Sequence, residues 1–515
     1  MVGTLWAFLP ALIAIVLALI TKQVYISLFL GILVGALMYA GGNPLEAMFT
    51  LYQVMSEKVG GNTPIIVFLV VLGILVVLMQ KSGGAMAYGN WAGKKIKTKG
   101  GALAATAGLG CLIFVDDYFN CLTVGSVMRP VTDKFKISRA KLAYIIDATA
   151  APICIIAPIS SWAAAVAGEL EGDGLMVFIS TIPFNVYALL TIGMVFALCF
   201  FKFDFGKMKK NDNIAETTGD VFAGVTEDTE SSDSIIPNPR GKVRDLIIPV
   251  VILIACCIGG MIYTGYFYNW DTGLIDTAPQ SSSVIEAFSN CDAGMSLAIG
   301  STVALIIIAI YYMATKVLSF KDVTGSFTDG FKAMVPAILI LTFAWSISGI
   351  MGAKGGYLDA QAFVQNNLAN SAFPQFLFPA IFFILAGAIA FATGTSWGTF
   401  GVLVPIAVTI LGGSGTLAVL TVSATLGGAV YGDHISPISD TTILASAGAQ
   451  CNHVEHVNTQ LPYASVVAVI AALAYIVAGA CASLGGVVSC LIMWAVAILL
   501  FVGFVFVIKR LNKKA

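Results

Sequence analysis

The segment Gly432–Thr442, GDHISPISDTT, places two aspartates and a histidine inside what would otherwise be a single membrane crossing. It follows the apolar run Thr416–Val430 and precedes the weakly polar run Ile443–Gly448. Charged groups at bilayer depth cost about 3 kcal/mol each on insertion scales, so they usually face a partner or a water-filled path. Pro437 also removes a backbone donor and interrupts the helix. The pattern predicts a broken helix with carboxylates at the break, an arrangement that transporters use to bind ions.

The composition places this segment in a membrane protein. Hydrophobic residues make up 58% of the 515 and charged residues 11%, whereas a soluble globular protein carries about 25% charged residues. We therefore predict an all-α polytopic membrane protein with the lipid bilayer as its environment. The net charge of −1 and the absence of a basic stripe predict no nucleic-acid partner. The ten cysteines lack metal or disulfide spacing, and without a nucleophile–base pair or nucleotide loop we expect neither an enzyme nor a cofactor.

Nine apolar runs are long enough to be crossings, given that a crossing takes about 20 residues. They are Thr4–Ile20, Val24–Ala40, Pro64–Met79, Leu175–Phe201, Leu246–Tyr266, Ala293–Ala314, Phe331–Met351, Pro462–Leu484 and Val487–Ile508. Four further regions are interrupted by polar residues, proline or glycine: Gly101–Pro130, Lys141–Leu170, Phe376–Leu411 and Thr416–Gln450. We expect the first and third to be hairpins of two half-helices, and the second and fourth to be broken helices.

Lysine and arginine predict the orientation, because cytoplasmic loops are enriched in them. Basic residues flank Gly101–Pro130 on both sides, at Lys94–Lys99 and at Arg129–Lys141. That hairpin is therefore predicted to enter and leave on the cytoplasmic side, as a re-entrant element. The basic C-terminus is also predicted to be cytoplasmic. Counting back gives an external N-terminus, about eleven crossings and two hairpins, with a prokaryotic inner membrane as the expected location.

The two halves of the sequence resemble each other in five places, of which two are Pro10–Val16 with Pro249–Ala255 and Ser27–Gly31 with Ser296–Gly300. Pro64–Gly84 matches Pro336–Gly356 at a constant offset, FVDDYFN from Phe114 aligns with FATGTSW from Phe391, and PISS from Pro158 aligns with PISD from Pro437. Because the first half starts outside and the second inside, we predict an inverted-topology repeat. Residues 1–201 would form the first repeat (scaffold spans 4–80, hairpin 101–130, broken helix 141–170, span 175–201), followed by an acidic cytoplasmic linker at 202–244. Residues 245–484 would form the second (scaffold spans 246–351, hairpin 376–411, broken helix 416–450, span 462–484), and 485–515 an extra span with a basic tail.

The four interruptions are expected to meet at the middle of the membrane and to form a binding site rich in oxygen. The candidate cation- or substrate-binding residues are Asp116, Asp117, Asn120, Thr123, Asp147, Thr393, Thr395, Ser396, Trp397, Asp433, His434, Ser436, Ser439, Asp440 and Thr441. Hard cations prefer such oxygens, and we take Asp116, Asp117, Asp433 and Asp440 as the Na⁺ candidates. A poorly solvated carboxylate binds either a proton or Na⁺, and this competition is a sufficient basis for exchange.

Several of these residues have a second interpretation. Asp147 is either a proton carrier or the structural partner of a nearby polar group, and His434 either orients Asp433 or senses pH. Trp397 is either a packing residue or a ligand contact. Gln450–Leu461, which contains two histidines and a glutamate, is predicted to be a polar cytoplasmic loop rather than a metal site, because its order is not HExxH.

Three segments resemble the NhaC-type sodium/proton antiporter family of the ion-transporter superfamily. They are Gly432–Ala464, the hairpin Phe114–Asp133 and ATGTSWGTFGVLVP at Ala392–Pro405. The resemblance implies an elevator-type transporter, with a scaffold and a moving transport domain, that works as a homodimer. It also implies a sodium/proton antiporter with Na⁺ and H⁺ as partners. The alternative is an Na⁺- or H⁺-coupled transporter of a small organic solute, such as an amino acid or carboxylate.

Overall fold

The computed structural model describes residues 2–21, 23–170, 174–201, 203–224, 237–269, 274–276, 291–351, 357–360, 374–412, 415–437 and 439–512, with a few isolated positions besides. Helices dominate these residues. In the first half they are α1 (Leu9–Thr21), α2 (Val24–Tyr39), α3 (Pro44–Gly61), α4 (Thr63–Ser82), α5 (Gly84–Lys95), α6 (Lys99–Leu112), α7 (Asp117–Lys134), α8 (Arg139–Ala148), α9 (Ala151–Cys154), α10 (Ser161–Glu169), α11 (Gly174–Thr181), α12 (Val186–Phe201) and α13 (Gly206–Thr218).

The second half continues the same pattern. Its helices are α14 (Arg244–Phe267), α15 (Ala293–Ala314), α16 (Phe320–Met351), α17 (Phe378–Thr393), α18 (Ser396–Leu411), α19 (Thr416–Ile435), α20 (Asp440–Ala449), α21 (His453–Ala480) and α22 (Gly486–Asn512). Two short antiparallel strands, β1 (Tyr268–Asn269) and β2 (Leu274–Ile275), follow α14. Short 3-10 turns lie at Leu5–Phe8, Ile182–Phe184, Gln375–Leu377 and Ala482–Leu484.

Seven helical stretches in the described part of the chain are long and apolar enough to cross a membrane. An eighth results if the two arms of α16, which bends by 43° at residues 336–337, count as one span. The apolar helices α1, α2, α11 and α18 are shorter than that criterion requires. The chain is thus a multi-pass membrane protein, and the higher crossing number stays a prediction.

The four predicted interruptions all coincide with breaks between helices. Residues 113–116 separate α6 from α7, and residues 394–395 separate α17 from α18. Gly394 can end α17 because its φ of 70° lies in the left-handed region, which costs glycine little. The region 141–170 breaks at residues 149–150, after α8, and again at residues 155–160, and the region 416–450 breaks at residues 436–439.

Three sequence-based boundaries differ from the structure. The expected continuous span Leu175–Phe201 is divided into α11 and α12 by a 3-10 turn that contains Pro183, because proline cannot donate within a helix. The beginning of the expected flexible linker is the packed helix α13, while residues 225–236 of that linker lie outside the described residues. The polar segment predicted as a loop at 450–461 mostly forms the start of α21.

Two packing groups surround the breaks. Helix α16 packs against α2, α3 and α4, and α4 also contacts α15. In the other group α7 packs against α20, and α19 lies against α17, α18 and α21. Backbones approach closely where α7 meets α20, since a Cβ added to Gly125 would lie 2.3 Å from the carbonyl carbon of Gly448. Helices α10 and α18 connect the groups, because both contact α16.

Candidate functional site

The four breaks meet in one buried region. The N–H of Ser161, at the start of α10, donates to the carbonyl of Val115 in the first hairpin tip at 3.0 Å. The Ser436 hydroxyl, in the break after α19, donates to the carbonyl of Phe391 near the second tip at 2.7 Å. Trp162 on α10 and Trp397 on α18 make an edge-on ring contact at 5.8 Å. These contacts join both hairpin tips to both broken helices.

Asp117 lies at the first residue of α7 and is 1% exposed. Its Oδ2 accepts a hydrogen bond of 3.1 Å from the Trp162 indole, while its Oδ1 has no hydrogen-bond partner among the described residues. Its charged neighbours are Asp116 and Asp433, which are also buried. Three acidic groups thus share a region removed from water, where unscreened negative charges repel each other strongly.

The second broken helix contributes hydroxyl groups to this region. The Thr441 hydroxyl donates to Asp433 Oδ2 at 3.0 Å and lies 3.2 Å from the Ser439 hydroxyl. Ser439 also caps α20, because its hydroxyl accepts from the N–H of Thr442 at 3.2 Å. Asp440 begins α20, but its side chain lies outside the described part of the structure.

Asp147 lies in a second polar cluster, between α8, α20 and α21. Its Oδ2 accepts from Gln460 Nε2 at 2.6 Å and from the Thr442 hydroxyl at 3.3 Å. His456 Nε2 lies 3.4 Å from the same oxygen, and both side chains are fully buried. The structure gives the Asp147 carboxylate polar partners on α20 and α21, and its role as a proton carrier stays a prediction.

The hydrogen-bond partner that the structure gives for the His434 ring is Tyr187, and not the neighbouring Asp433. Its Nδ1 lies 2.9 Å from the hydroxyl of Tyr187 on α12, and its carbonyl accepts from Gln460 at 2.6 Å. Its Nε2 has no hydrogen-bond partner among the described residues. Gln460 therefore connects Asp147 with His434, and Tyr187 closes the far side of this cluster.

Most of the polar side chains at the second hairpin tip form hydrogen bonds with the backbone of nearby helices. Thr395 caps α18 by accepting from the N–H of Gly398 at 3.3 Å, and Ser396 donates to the carbonyl of Ala429 at 3.2 Å. Thr393 donates to the carbonyl of Ile389 in its own helix. The buried Trp397 indole nitrogen lacks a partner in the described residues, so it remains available to a ligand.

Asn120 and Thr123 complete the predicted set from α7. Asn120 Nδ2 lies within 3.0 Å of three carbonyls, those of Gly110, Ile113 and Thr149. These carbonyls belong to the first hairpin and to the break after α8, so Asn120 holds two interruptions together. Thr123 is buried on the same helix. The described Asp, Glu, His and Cys side chains form no group of three placed to hold a metal ion.

Sequence reasoning named Thr442 among the oxygens of the second broken helix but did not assign three other members of these clusters: Tyr187, His456 and Gln460. The signal for two of them was the spacing of His456 and Gln460, which places both side chains on one face of a helix. The segment was interpreted as a loop because its first residues are polar. Tyr187 carried no signal, since it lies in an apolar run that resembles any other crossing.

Comparison with known proteins places the chain among transporters. The family model of the Na⁺/H⁺ antiporter family matches residues 173–480. An uncharacterized protein of Haemophilus influenzae is 38% identical over 496 residues, which cover 93% of this chain and 91% of that protein. The malate-2H(+)/Na(+)-lactate antiporter of Bacillus subtilis is 33% identical over 166 residues, which cover 31% of this chain and 33% of that protein.

A solved structure has a related fold. The YdaH transporter of Alcanivorax borkumensis superposes with a TM-score of 0.50 at 15% identity, covering 88% of this chain and 97% of that one. At this identity the likeness concerns the fold alone. The family match extends through the second hairpin, the second broken helix and α21, which carry Asp433, His434, His456 and Gln460. The chain therefore belongs to the Na⁺/H⁺ antiporter family.

Proposed function

We propose that the protein exchanges Na⁺ for H⁺ at the carboxylates where the four breaks meet. The observation that carries this proposal is Asp117, which is buried beside Asp116 and Asp433 and has one carboxylate oxygen without a hydrogen-bond partner among the described residues. Several ionised carboxylates in a dry region are unfavourable unless protons or a cation neutralise them. Na⁺ and H⁺ are the two ions that the family name supplies.

The neighbouring oxygens suit a small hard cation. Carboxylate oxygens of Asp117 and Asp433, the hydroxyls of Thr441 and Ser439, and carbonyls freed at the helix breaks are all ligands that such cations prefer. Na⁺ at this position would displace protons from the acidic groups. A proton arriving from the other side of the membrane would displace Na⁺ in turn.

The Asp147 cluster would handle protons next to this site. Asp147, His456 and Gln460 are fully buried, and the Thr442 hydroxyl contacts both Asp147 and the carbonyl of Asp433 at 3.1 Å. Thr442 therefore links the Asp147 carboxylate to the backbone of Asp433, so a displacement of the break after α19 would alter the surroundings of Asp147. We assign Asp147 as the proton-binding group of this cluster in the transport cycle.

The same proposal includes the larger architecture that the sequence predicts. The breaks would lie at the middle of the membrane, the two hairpins would be re-entrant, and the halves would be inverted repeats. The group around α7, α19, α20 and α21 would move against a scaffold of α2, α4 and α16, as an elevator within a homodimer. Support comes from the two packing groups and from the positive residues near Lys94–Lys99.

A second candidate function is coupled exchange of a small organic anion. It is favoured by two buried donors without partners in the described residues, the Trp397 indole and the Ser161 hydroxyl. Both lie in the first turn of a helix, α18 and α10, where the helix dipole favours negative charge. A relative that is similar over 166 residues is named as a malate-2H(+)/Na(+)-lactate antiporter, and malate and lactate are small organic anions.

Flux into liposomes separates the two functions. Purified full-length protein is reconstituted, and radioactive Na⁺ uptake is followed under an imposed pH gradient, with and without malate, lactate and a panel of amino acids. Na⁺/H⁺ exchange predicts uptake without any organic solute, and abolition of that uptake by Asp117→Asn and Asp433→Asn. Glu46→Gln, an exposed acid on α3, is the matched control and should keep wild-type uptake. If Na⁺ uptake occurs only when an organic solute is supplied, Na⁺/H⁺ exchange is contradicted and coupled exchange of that solute is supported.

A further inference from the structure

Glu169 is a buried carboxylate that the site described above does not use. It ends α10 and is 7% exposed. Neither of its two carboxylate oxygens has a hydrogen-bond partner among the described residues. An ionised carboxylate in this position would lose its hydration without compensation, which costs far more than burial of the neutral acid.

The surroundings of Glu169 belong to both packing groups. A Cβ added to Gly401 on α18 would lie 3.7 Å from Glu169 Oε1. A Cβ added to the preceding residue, Gly168, would lie 3.0 Å from the indole nitrogen of Trp345 on α16, which also lacks a partner in the described residues. The end of α10 is therefore clamped between a hairpin helix and the long helix of the other group.

Little positive charge reaches this carboxylate. Lys58, at the end of α3, is the charged side chain that acts on it, but no ion pair within 4 Å joins the two among the described residues. The Lys58 side chain instead lies along α16, where a Cβ added to Gly349 would be 2.8 Å from Lys58 Cγ. Helix α18 carries no charged side chain and α4 carries only Lys81, at its far end. The charged residues of α16 lie between Lys321 and Lys332, at least 13 positions before Trp345.

We propose that Glu169 is a proton-binding site separate from the Asp116, Asp117 and Asp433 region, and that its neutral form holds α10 and α18 against α16. Ionisation would create an unpaired charge inside this contact and release it. Proton binding and loss at Glu169 would thereby be coupled to movement between the two packing groups. The coupling part of this inference rests on the proposed exchange of Na⁺ for H⁺, whereas the proton-binding part does not.

Thermal unfolding tests proton binding without any transport measurement. Full-length wild type, Glu169→Gln and the exposed control Glu46→Gln are melted in detergent from pH 5.5 to pH 9. Glutamine imitates the neutral acid at every pH, so the melting temperature of Glu169→Gln should exceed that of wild type by a margin that grows as the pH rises from 5.5, and that reaches at least about 2 °C at pH 9. Glu46→Gln should follow wild type throughout. Parallel curves for Glu169→Gln and wild type would overturn proton binding at Glu169.

Two transport modes test the coupling. In liposomes the rate of Na⁺ uptake driven by a pH gradient should be at least about tenfold lower for Glu169→Gln than for wild type. The reason is that a permanently neutral group cannot release a proton. Exchange of radioactive for unlabelled Na⁺ at equal pH should persist in Glu169→Gln and be lost in Asp117→Asn. Wild-type uptake by Glu169→Gln under the pH gradient would overturn the coupling role. If wild type itself moves no Na⁺, the proposed function fails and the melting curves still decide on Glu169.

Discussion

Gln460 donates a hydrogen bond of 2.6 Å to Asp147, although the two residues are 313 positions apart in the chain. The same amide nitrogen lies 2.6 Å from the carbonyl of His434. One side chain on α21 therefore fixes an acid on α8 relative to the break after α19. This contact ties the first half of the chain to the second at the proposed site of proton binding.

Gln460→Leu tests this connection. The substitution removes a donor that stabilises the ionised form of Asp147, so the pH profile of transport should shift by about one unit towards alkaline pH. Loss of the buried hydrogen bonds should also lower the free energy of unfolding by about 1–3 kcal/mol. Transport rates across a pH series and thermal unfolding measure the two effects. The exposed control Gln53→Leu on α3 should change neither quantity. An unchanged pH profile in Gln460→Leu would show that Asp147 does not bind the transported proton.

Trp162→Phe tests the environment of Asp117. The indole donates to Asp117 Oδ2, and a hydrogen bond to a charged group contributes about 1.5–3 kcal/mol. Without it, protons should compete better with Na⁺, and the KM for Na⁺ should rise about tenfold at neutral pH and less at alkaline pH. Trp91→Phe is the control, because its side chain is 50% exposed. Equal KM values in Trp162→Phe and wild type would show that Asp117 is not a cation ligand.

Gly125→Ala tests the contact between α7 and α20. The new methyl group would lie 2.3 Å from the backbone of Gly448, and neither backbone can move without displacing a helix of the site. We expect a loss of unfolding free energy of about 1–3 kcal/mol or more, as for overpacked cores, together with impaired transport. Gly108→Ala on α6 meets no atom within 4 Å. Alanine should be neutral or stabilising there, since it favours a helix over glycine.

A comparable loss in both alanine variants would mean that the α7–α20 contact is not tight. Thermal unfolding and Na⁺ flux in the same preparations provide that comparison.

Lys141→Met tests a buried ionic cluster at the end of α8. Lys141 is 2% exposed, and its ammonium lies 2.7 Å from Asp204 and 3.1 Å from Asp212. Asp212 keeps Lys99 at 2.7 Å after the substitution, so the expected loss of unfolding free energy lies below the roughly 3–5 kcal/mol typical of a buried charge left without any partner. The melting temperature should therefore be clearly lower for Lys141→Met than for wild type. It should be unchanged for Lys210→Met, which alters an exposed lysine on α13. Identical melting temperatures for Lys141→Met and wild type would show that the cluster is solvated.

The sequence contained enough information to locate the four breaks. Proline and capping residues act locally, and Ser160 and Ser439, matched in the PISS and PISD segments, both cap the helix that follows. The acids Asp117, Asp147 and Asp433 are buried. The sequence predicted this because each acid interrupts an apolar run that packs inside the protein.

Other features depended on tertiary contacts that a linear pattern does not encode. Lys141 was used only as a marker of the cytoplasmic side, whereas it is buried against α13. His456 was assigned to a surface loop, although its helix begins three residues earlier. Glu169 gave no signal, because an acid that follows a run of small residues and precedes Glu171 and Asp173 resembles an exposed helix end.

The most direct test of the central claim is proton release on Na⁺ binding. Purified full-length protein in weakly buffered detergent is mixed with NaCl while a pH dye is monitored, with choline chloride as the ionic-strength control. If Na⁺ and protons share the carboxylates around Asp117, Na⁺ should release protons from wild type and Glu46→Gln but not from Asp117→Asn or Asp433→Asn. Absence of release from wild type, or equal release from Asp117→Asn, would contradict exchange at these carboxylates.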